Sequence, residues 1–254
     1  MIIKASLKRE NLILLVVILL AFIFPLNSFG QSIKKDSTKT LSSFLKKGEL
    51  EFNSRTFFMS TLNEGSNRDY FALANGIGVD YTTANFHGFH FKIGGYFTFR
   101  LAEYNLVDSD TKEWANNRYE KALFDIKSPN IRNPIAGLEE VYLAYRHKGL
   151  SLKLGSQIHQ TPLLNKNTNR MRPNLFQGLN VNYELKKLKL SGAWFLSESV
   201  RGTTNTYSSS SSFGVYGQGL HPSGEVNNYR GHISTLGIGV FGAQYNLENW
   251  KAQA

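Results

Sequence analysis

The feature that most constrains this chain is a side-chain alternation with a period of two, kept up over unusually long segments. Residues 89–101 are the clearest case, because apolar side chains fall on one face and polar or small ones on the other. A stretch of thirteen residues exceeds the five or six of an ordinary soluble strand. A tilted strand that crosses a membrane needs about 9–11 residues. The pattern therefore predicts a membrane-crossing strand.

The same alternation recurs along most of the chain. Seven further segments carry it, at residues 50–58, 71–81, 141–145, 150–158, 179–185, 188–196 and 235–245. The last of these is rich in glycine, which predicts a β-bulge there. About eight strands are therefore expected, all of the same kind.

The connections between these segments alternate in length. Longer stretches at 60–69, 103–137, 160–174 and 197–234 take turns with shorter ones at 83–88, 148–149, 186–187 and 247–249. Transmembrane barrels have short turns at one end and long loops at the other. A β-sandwich has no reason to place every long loop at one end. The predicted fold class is therefore all-β, a transmembrane antiparallel β-barrel whose backbone groups pair within the sheet because hydrocarbon offers no partner.

The N-terminal residues predict export from the cytoplasm. Lys4, Lys8 and Arg9 precede an apolar run from Leu12 to Phe24, and small residues stand at the −3 and −1 positions of a cleavage site after Gly30. This layout is typical of a secretory signal peptide at 1–30. Residues 31–47, rich in Lys, Ser and Thr, are expected to form a flexible periplasmic lead-in, and residues 48–254 the barrel domain.

Composition excludes several classes of function. Cysteine is absent, so the chain has no disulfide and no thiolate metal site. Cleavage after residue 30 would remove three basic side chains and Glu10, lowering the net charge from +10 to +8. The remaining bases are scattered along alternating strands, which does not favour nucleic acid as a partner. We also expect the barrel to be incomplete at the C-terminus, because residues 250–254 open a ninth strand and an eight-stranded lumen only accommodates side chains.

Several short motifs resemble the OprD-type outer-membrane porins. Residues 55–63 (RTFFMSTLN) look like the first strand of that family, and residues 69–74 (DYFALA) like the start of the second. The most specific match is RMRPN at 170–174, which follows TPLLN at 161–165. Further matches lie at 118–120, 123–126, 138–142 and 154–157.

The resemblance implies a barrel of eighteen strands, of which this chain would hold roughly the first half. It also implies passive diffusion of small hydrophilic solutes, anions among them, through a loop-constricted pore in a Gram-negative outer membrane. No catalysis and no cofactor are expected. Solutes and outer-membrane lipid are the expected partners, and the protein would be a monomer or a homotrimer.

Basic side chains recur on the face predicted to line the lumen. They are Arg55, Lys92, Arg100, Arg146, Lys153 and Lys189. Rings of Arg and Lys select for anions in a pore, and the resemblance implies a basic ladder that guides carboxylates. The alternative is that these cations pair with acidic neighbours, namely Glu49, Glu51, Asp80, Glu140 and Glu184.

The loop at 160–174 carries two further candidates. If it folds inward, as constriction loops of porins do, Arg170 and Arg172 would narrow the channel. If it lies on the surface, they would pair with phosphates of the outer leaflet.

Three other functions compete with a diffusion porin. A small non-conducting barrel, acting as a structural protein or adhesin, fits an eight-stranded filled lumen. A barrel lipase would need a Ser/His pair near the rim, and none is evident. A secreted soluble β-protein is the third alternative.

The GIGVFG match at 237–242 is followed by no helix, so it does not indicate a dinucleotide site.

Overall fold

The computed structural model describes residues 40–65, 68–106, 118–128, 133–216, 219–220, 223, 226–227, 232–246 and 251–253. The predicted signal peptide lies outside the described residues. Within the predicted lead-in, a short helix α1 spans Leu41–Lys46 and is capped by the Thr40 hydroxyl, which accepts a hydrogen bond from Ser43 N at 3.2 Å. Such a cap satisfies one of the free N–H groups of the first turn.

One antiparallel sheet dominates the described chain. Its long strands are β1 (Glu49–Thr61), β2 (Tyr70–Thr82), β3 (Phe89–Tyr104), β4 (Ile135–His147), β5 (Leu150–Gln157), β6 (Leu175–Leu185) and β7 (Leu188–Ser199). Shorter elements follow: β8 (Thr206–Ser208), β9 (Gly219–Leu220), β10 (Val226–Asn227), β11 (Ile238–Asn246) and β12 (Lys251–Gln253). Helix α2 spans Arg118–Lys121, and helix α3 spans Ser209–Ser212.

The strands pair in chain order. The path runs β1-β2-β3-β4-β5-β6-β7-β11-β12, with β8 beside β7, and β9 and β10 form a separate pair. All eight predicted strands are present, and the predicted all-β antiparallel fold is confirmed. Strands β4 and β6 begin earlier than the alternation suggested, at Ile135 and Leu175. Among the described residues, no helix combines the length and apolar character that a membrane crossing requires.

The sheet is apolar on the face that a soluble protein would make polar. Phe58, Leu154 and Phe241 project from one face with more than half of their surface exposed. The opposite face carries the side chains that the alternation predicted to be polar or small, and Ala72 and Ala74 on this face are fully buried. A large band of exposed apolar side chains marks a surface that contacts lipid or another apolar partner. We call the two faces the outer and the inner face.

Among the strand pairings that the structure describes, register shifts occur at three places, and none of them is in β11. They lie between β2 and β3 at Leu73/Ala74, between β3 and β4 at Ile93/Gly95, and between β6 and β7 at Gln177/Gly178. The pairing of β11 with β7 runs without a shift from Ile238 to Tyr245. The prediction of a bulge in the eighth strand, β11, is therefore wrong. The glycines of this strand instead leave room for large neighbouring side chains. A Cβ at Gly239, for example, would come within 2.9 Å of the Trp194 ring.

Candidate pore constriction

Three chain segments fold onto the inner face at the end of the sheet where the long connections lie, which we call the loop end. They are residues 118–128, 158–174 and 199–216. Leu123 and Phe124 pack on Ala72 and Ala74 in one buried cluster, and Met171 packs against it. The loop at 160–174 therefore contacts the inner face, as the inward alternative predicted. The segment at 118–128, which contains α2, does the same, and the alternation gave no sign of it.

Small residues of β2 make this approach possible. Ala72 and Ala74 are followed by Gly76 on the same face. A Cβ at Gly76 would lie 2.9 Å from the Met171 Cε, too close for ordinary contact. The small-residue run on the inner face is thus explained by the loops that cover it, since close packing leaves no room for larger side chains there.

A buried carboxylate ties two of the inward segments together. Thr204 donates to Asp125 Oδ2 from its hydroxyl at 2.5 Å and from its backbone N–H at 3.3 Å, and Lys127 N donates to Oδ1 at 2.8 Å. Ile126 N donates to Gly202 O at 2.9 Å. Gly202 has a φ of +69°, and a Cβ there would lie 2.7 Å from Ala122 O. Hydrogen bonds to a charged group are stronger than neutral ones, so Asp125 is a strong tie between segments 118–128 and 199–216.

Arg172 is held against the inner wall by three groups. Its guanidinium lies over the Tyr96 ring, 3.7 Å from the centroid, and donates to the Tyr96 hydroxyl. Its Nε is 3.9 Å from Glu139 Oε1. Burial lowers the pKa of Arg172 from its ordinary value, while Tyr96 and Glu139 act in the opposite direction. Arg172 fastens the loop to β3 and β4, which is a structural role beside the constriction role predicted for it.

Arg170 is buried at the centre of the inward segments. It donates to Asn169 O at 2.6 Å, and its Nε has no hydrogen-bond partner within the part of the chain that the structure describes. Burial lowers the pKa of Arg170, and the neighbouring charge of Arg201 lowers it further. Arg201 lies over the Tyr216 ring at 5.4 Å. Arg201 was not identified from the sequence, because it lies in a long connection without a periodic pattern.

The bulge between β3 and β4 places two carboxylates side by side on the inner face. Ile93 pairs with Val141 and Gly95 with Leu138, so Glu139 and Glu140 together face Gly94. Two residues opposite one is the geometry of a bulge. Gly94 leaves room for Asp80, whose Oδ1 would be 2.0 Å from a Cβ at that position.

Lys92 sits inside this acidic group. Its Nζ lies 2.7 Å from Glu140 Oε2 and 3.8 Å from Asp80 Oδ1. Lys92 is only partly exposed, and two carboxylates this close offset its positive charge, so it contributes little attraction for an anionic solute. The sequence left two alternatives for Lys92, a place in a basic ladder or pairing with acidic neighbours. In the structure, Lys92 is paired with acidic neighbours.

The other predicted cations divide into two groups. Arg100 forms an ion pair with Glu103 and lies over the Phe124 ring at 4.2 Å. Lys189 pairs with Glu184 at 2.7 Å. For the remaining three, no carboxylate of the described residues lies within 4 Å, and they are Arg55, Arg146 and Lys153.

These three cations contact rings or line open space. Arg55 lies over the Phe57 ring at 4.9 Å, and Lys153 lies over the Tyr142 ring at 4.6 Å. Arg146 and Lys153 line an open recess of about 560 Å³ at the short-turn end of the inner face. The structure places all six predicted bases on the inner face; their role in selectivity stays a prediction.

His159 joins the loop to the middle of the wall. Its Nδ1 is 2.8 Å from Asn180 Nδ2, and its ring lies 4.9 Å from the Phe195 ring. Burial lowers the pKa of His159, and the charge of Lys153 lowers it further. The neutral form, accepting from Asn180, is therefore the form that this contact stabilises.

Comparison with known families and structures agrees with this arrangement. A sequence model described as "outer membrane porin, OprD family" matches residues 141–250. The predicted resemblance to the OprD family is confirmed. The match includes strands β5, β6, β7 and β11 and the loop with Arg170 and Arg172. A search of curated proteins found no match.

Solved porins share the fold. OccAB1 of Acinetobacter baumannii aligns with a TM-score of 0.57 at 16% identity, over 87% of this chain and 46% of that one. OccAB2 of the same organism gives 0.60 at 15% identity, over 83% and 49%. OpdK of Pseudomonas aeruginosa, in a structure with vanillate, gives 0.55 at 18% identity, over 81% and 46%. The chain spans about half the length of these porins.

Proposed function

We propose that the protein is a porin of a Gram-negative outer membrane, exported by its N-terminal signal peptide, through which small hydrophilic solutes diffuse passively. The observation that supports this most strongly is the arrangement of the inner face. Loops from one end fold onto a polar wall, while the outer face is apolar. Such a wall lines an aqueous lumen in the barrels of this architecture.

We further propose that the lumen favours anions. The cations without a described carboxylate neighbour, Arg55, Arg146 and Lys153, leave positive potential along the wall. A unit charge 4 Å from one of them gains about 1 kcal/mol in bulk water and about 4 kcal/mol at the effective dielectric near a protein surface. OpdK was solved with vanillate, an aromatic carboxylate. A small carboxylate is the corresponding solute class for this chain.

The constriction lies where Arg170 and Arg172 meet the inner wall. Segments 118–128 and 158–174 occupy part of the lumen there, so a solute must pass beside them. Arg170 retains an Nε without a partner among the described residues. The Arg172 Nε likewise has no hydrogen-bond partner there, and both side chains are largely buried, so these two arginines would attract a passing carboxylate through their positive charge and not by direct contact.

Single-channel recording tests both parts of the proposal. The full-length protein in a planar bilayer should give discrete openings, and its reversal potential in a salt gradient should shift toward the anion. Replacing the cations of the recess with Arg146→Gln and Lys153→Gln should reduce that shift. The double variant Lys189→Gln, Glu184→Gln is the matched control, because both residues line the same recess and removing the pair leaves its net charge unchanged, so the shift should stay.

Two results would contradict the proposal. An inserted but silent protein would favour the non-conducting structural barrel. Open channels whose anion/cation permeability ratio is unchanged in the Arg146→Gln, Lys153→Gln variant would show that these bases do not set selectivity.

A further inference from the structure

The short-turn end of the sheet carries basic residues in a backbone conformation that ordinary side chains avoid. Two of the three described hairpins at this end turn through two residues, Lys148-Gly149 and Lys186-Lys187. In the third, a bridge between Phe86 and Phe89 closes a turn at His87-Gly88. The first residue of each has a positive φ, +51° at His87, +43° at Lys148 and +43° at Lys186. Glycine, asparagine and aspartate are the residues that adopt this conformation readily.

The structure shows no packing reason for lysine at these positions. The side chains of Lys148, Lys186 and Lys187 are exposed, and the structure records no hydrogen bond or ion pair for them among the residues it describes. In the Lys148-Gly149 turn, by contrast, glycine is required at position 149, since a Cβ there would lie 2.4 Å from Glu184 O. Backbone strain without a local compensation points to a role outside the protein.

Two further lysines extend the same surface. Lys46 is the last residue of α1 and Lys47 follows it. The helix is fixed at this end by the hydrogen bond from Ala84 N to Phe44 O at 3.1 Å. Both are exposed. Together with the turn lysines they form what we call the basic rim, defined as Lys46, Lys47, Lys148, Lys186 and Lys187. The nearby acidic side chain of Glu184 is already paired with Lys189.

Aromatic side chains on the outer face fix the depth of this rim. Phe89 and Tyr145 are in contact, with ring centroids 4.6 Å apart, and Tyr183 is exposed on β6, which β5 separates from β4. Rings of this kind sit at the membrane–water interface of a barrel. Lys148 is three residues beyond Tyr145, so its Cα is within about 10 Å of the aromatic level. That distance places the lysine side chains at the level of the phospholipid phosphates.

We propose that the basic rim binds the headgroups of net-anionic phospholipids, such as phosphatidylglycerol, in the periplasmic leaflet. The inference rests on the outer-membrane placement proposed above and adds a lipid site to it. Cations close to an anionic bilayer surface are attracted to it. An acidic wall polymer is the less favoured partner, because two-residue turns keep the lysines flush with the strand ends instead of extending them into the periplasm.

Spin-labelled lipids test the rim directly. The full-length protein is reconstituted in phosphatidylcholine vesicles at low ionic strength, with spin-labelled phosphatidylglycerol or phosphatidylcholine as the probe. The motionally restricted fraction should be at least about twofold larger for phosphatidylglycerol. In the variant Lys148→Asn, Lys186→Asn, Lys187→Asn the two lipids should become nearly equal. Asparagine tolerates a positive φ, so this variant should fold at least as well as the wild type.

A matched variant distinguishes an effect of the basic rim from an effect of the protein's net charge. Lys121→Asn, Lys127→Asn, Lys166→Asn removes three charges from the inward segments and should keep the lipid preference. Equal binding of both lipids by an inserted, conducting wild type would overturn the lipid site alone. Equal loss in both triple variants would also overturn it. Failure to insert would overturn the membrane placement and the site with it. Rim-dependent sedimentation with cell-wall sacculi, with equal lipid binding, would assign the rim to the wall polymer instead.

Discussion

At the scale of single residues, side chains on the inner face are placed by what covers them. His159 illustrates this, because it lies between Asn180 and Phe195 and near the charge of Lys153. Burial holds its folded-state pKa below the ordinary value of about 6.5. At pH values between the two pKa values, the unfolded chain binds more protons than the folded one. The free energy of unfolding should therefore fall as the pH drops below about 6.5.

The His159→Gln variant should lose part of this pH dependence, since glutamine can still accept from Asn180 but does not titrate. Denaturant unfolding of the vesicle-inserted protein at pH 7.5 and pH 5 measures the difference. His87→Gln is the matched control, because His87 is exposed in a turn. Identical pH slopes for the wild type and His159→Gln would exclude His159 as the source.

At the scale of elements, the inward segments are held to one another by hydrogen bonds to polar side chains, those of Asp125 and Asn174 among them. Asp125 binds Thr204 and the backbone of Lys127, and is buried. Hydrogen bonds to a charged acceptor contribute about 1.5–3 kcal/mol. Asp125→Ala should therefore release segment 118–128 from segment 199–216 while the strands stay paired. We expect a larger conductance and more open-channel noise in single-channel recordings.

Thr204→Val provides a graded control for that experiment. It removes the hydroxyl donor but leaves the backbone N–H to Asp125, so its effect should be smaller than that of Asp125→Ala. Equal conductance in both variants and the wild type would mean that Asp125 does not set the position of the segment.

The elements also show what a single sequence reveals. Alternation located every long strand, because each strand separates an apolar outer face from a polar inner face. It did not reveal the bulge at Glu139 and Glu140, since one extra residue changes which side chains share a face without changing composition. Nor did it reveal the contact between Asp125 and Thr204, which are 79 residues apart and meet only after the sheet has formed.

At the scale of the whole molecule, the outer face is apolar and the inner face is polar, the reverse of a soluble β-protein. One substitution on each face tests this arrangement. Leu154 is exposed on the outer face of β5. In a soluble protein, lysine there would be nearly neutral for stability. In a bilayer, it should lower the free energy of unfolding by about 2 kcal/mol or more, because a cation near the membrane midplane is costly.

The matched variant is Asn53→Lys, at an exposed position on the inner face of β1. There the ammonium group would meet water in the lumen, so the free energy of unfolding should change by less than about 0.5 kcal/mol. Denaturant titration of both variants in vesicles gives the two values. A large cost for Leu154→Lys with almost none for Asn53→Lys fits a lipid-facing outer surface. Equal, small effects at both positions would instead mean that the outer face meets water, and neither the pore nor the lipid site proposed for the basic rim could then stand.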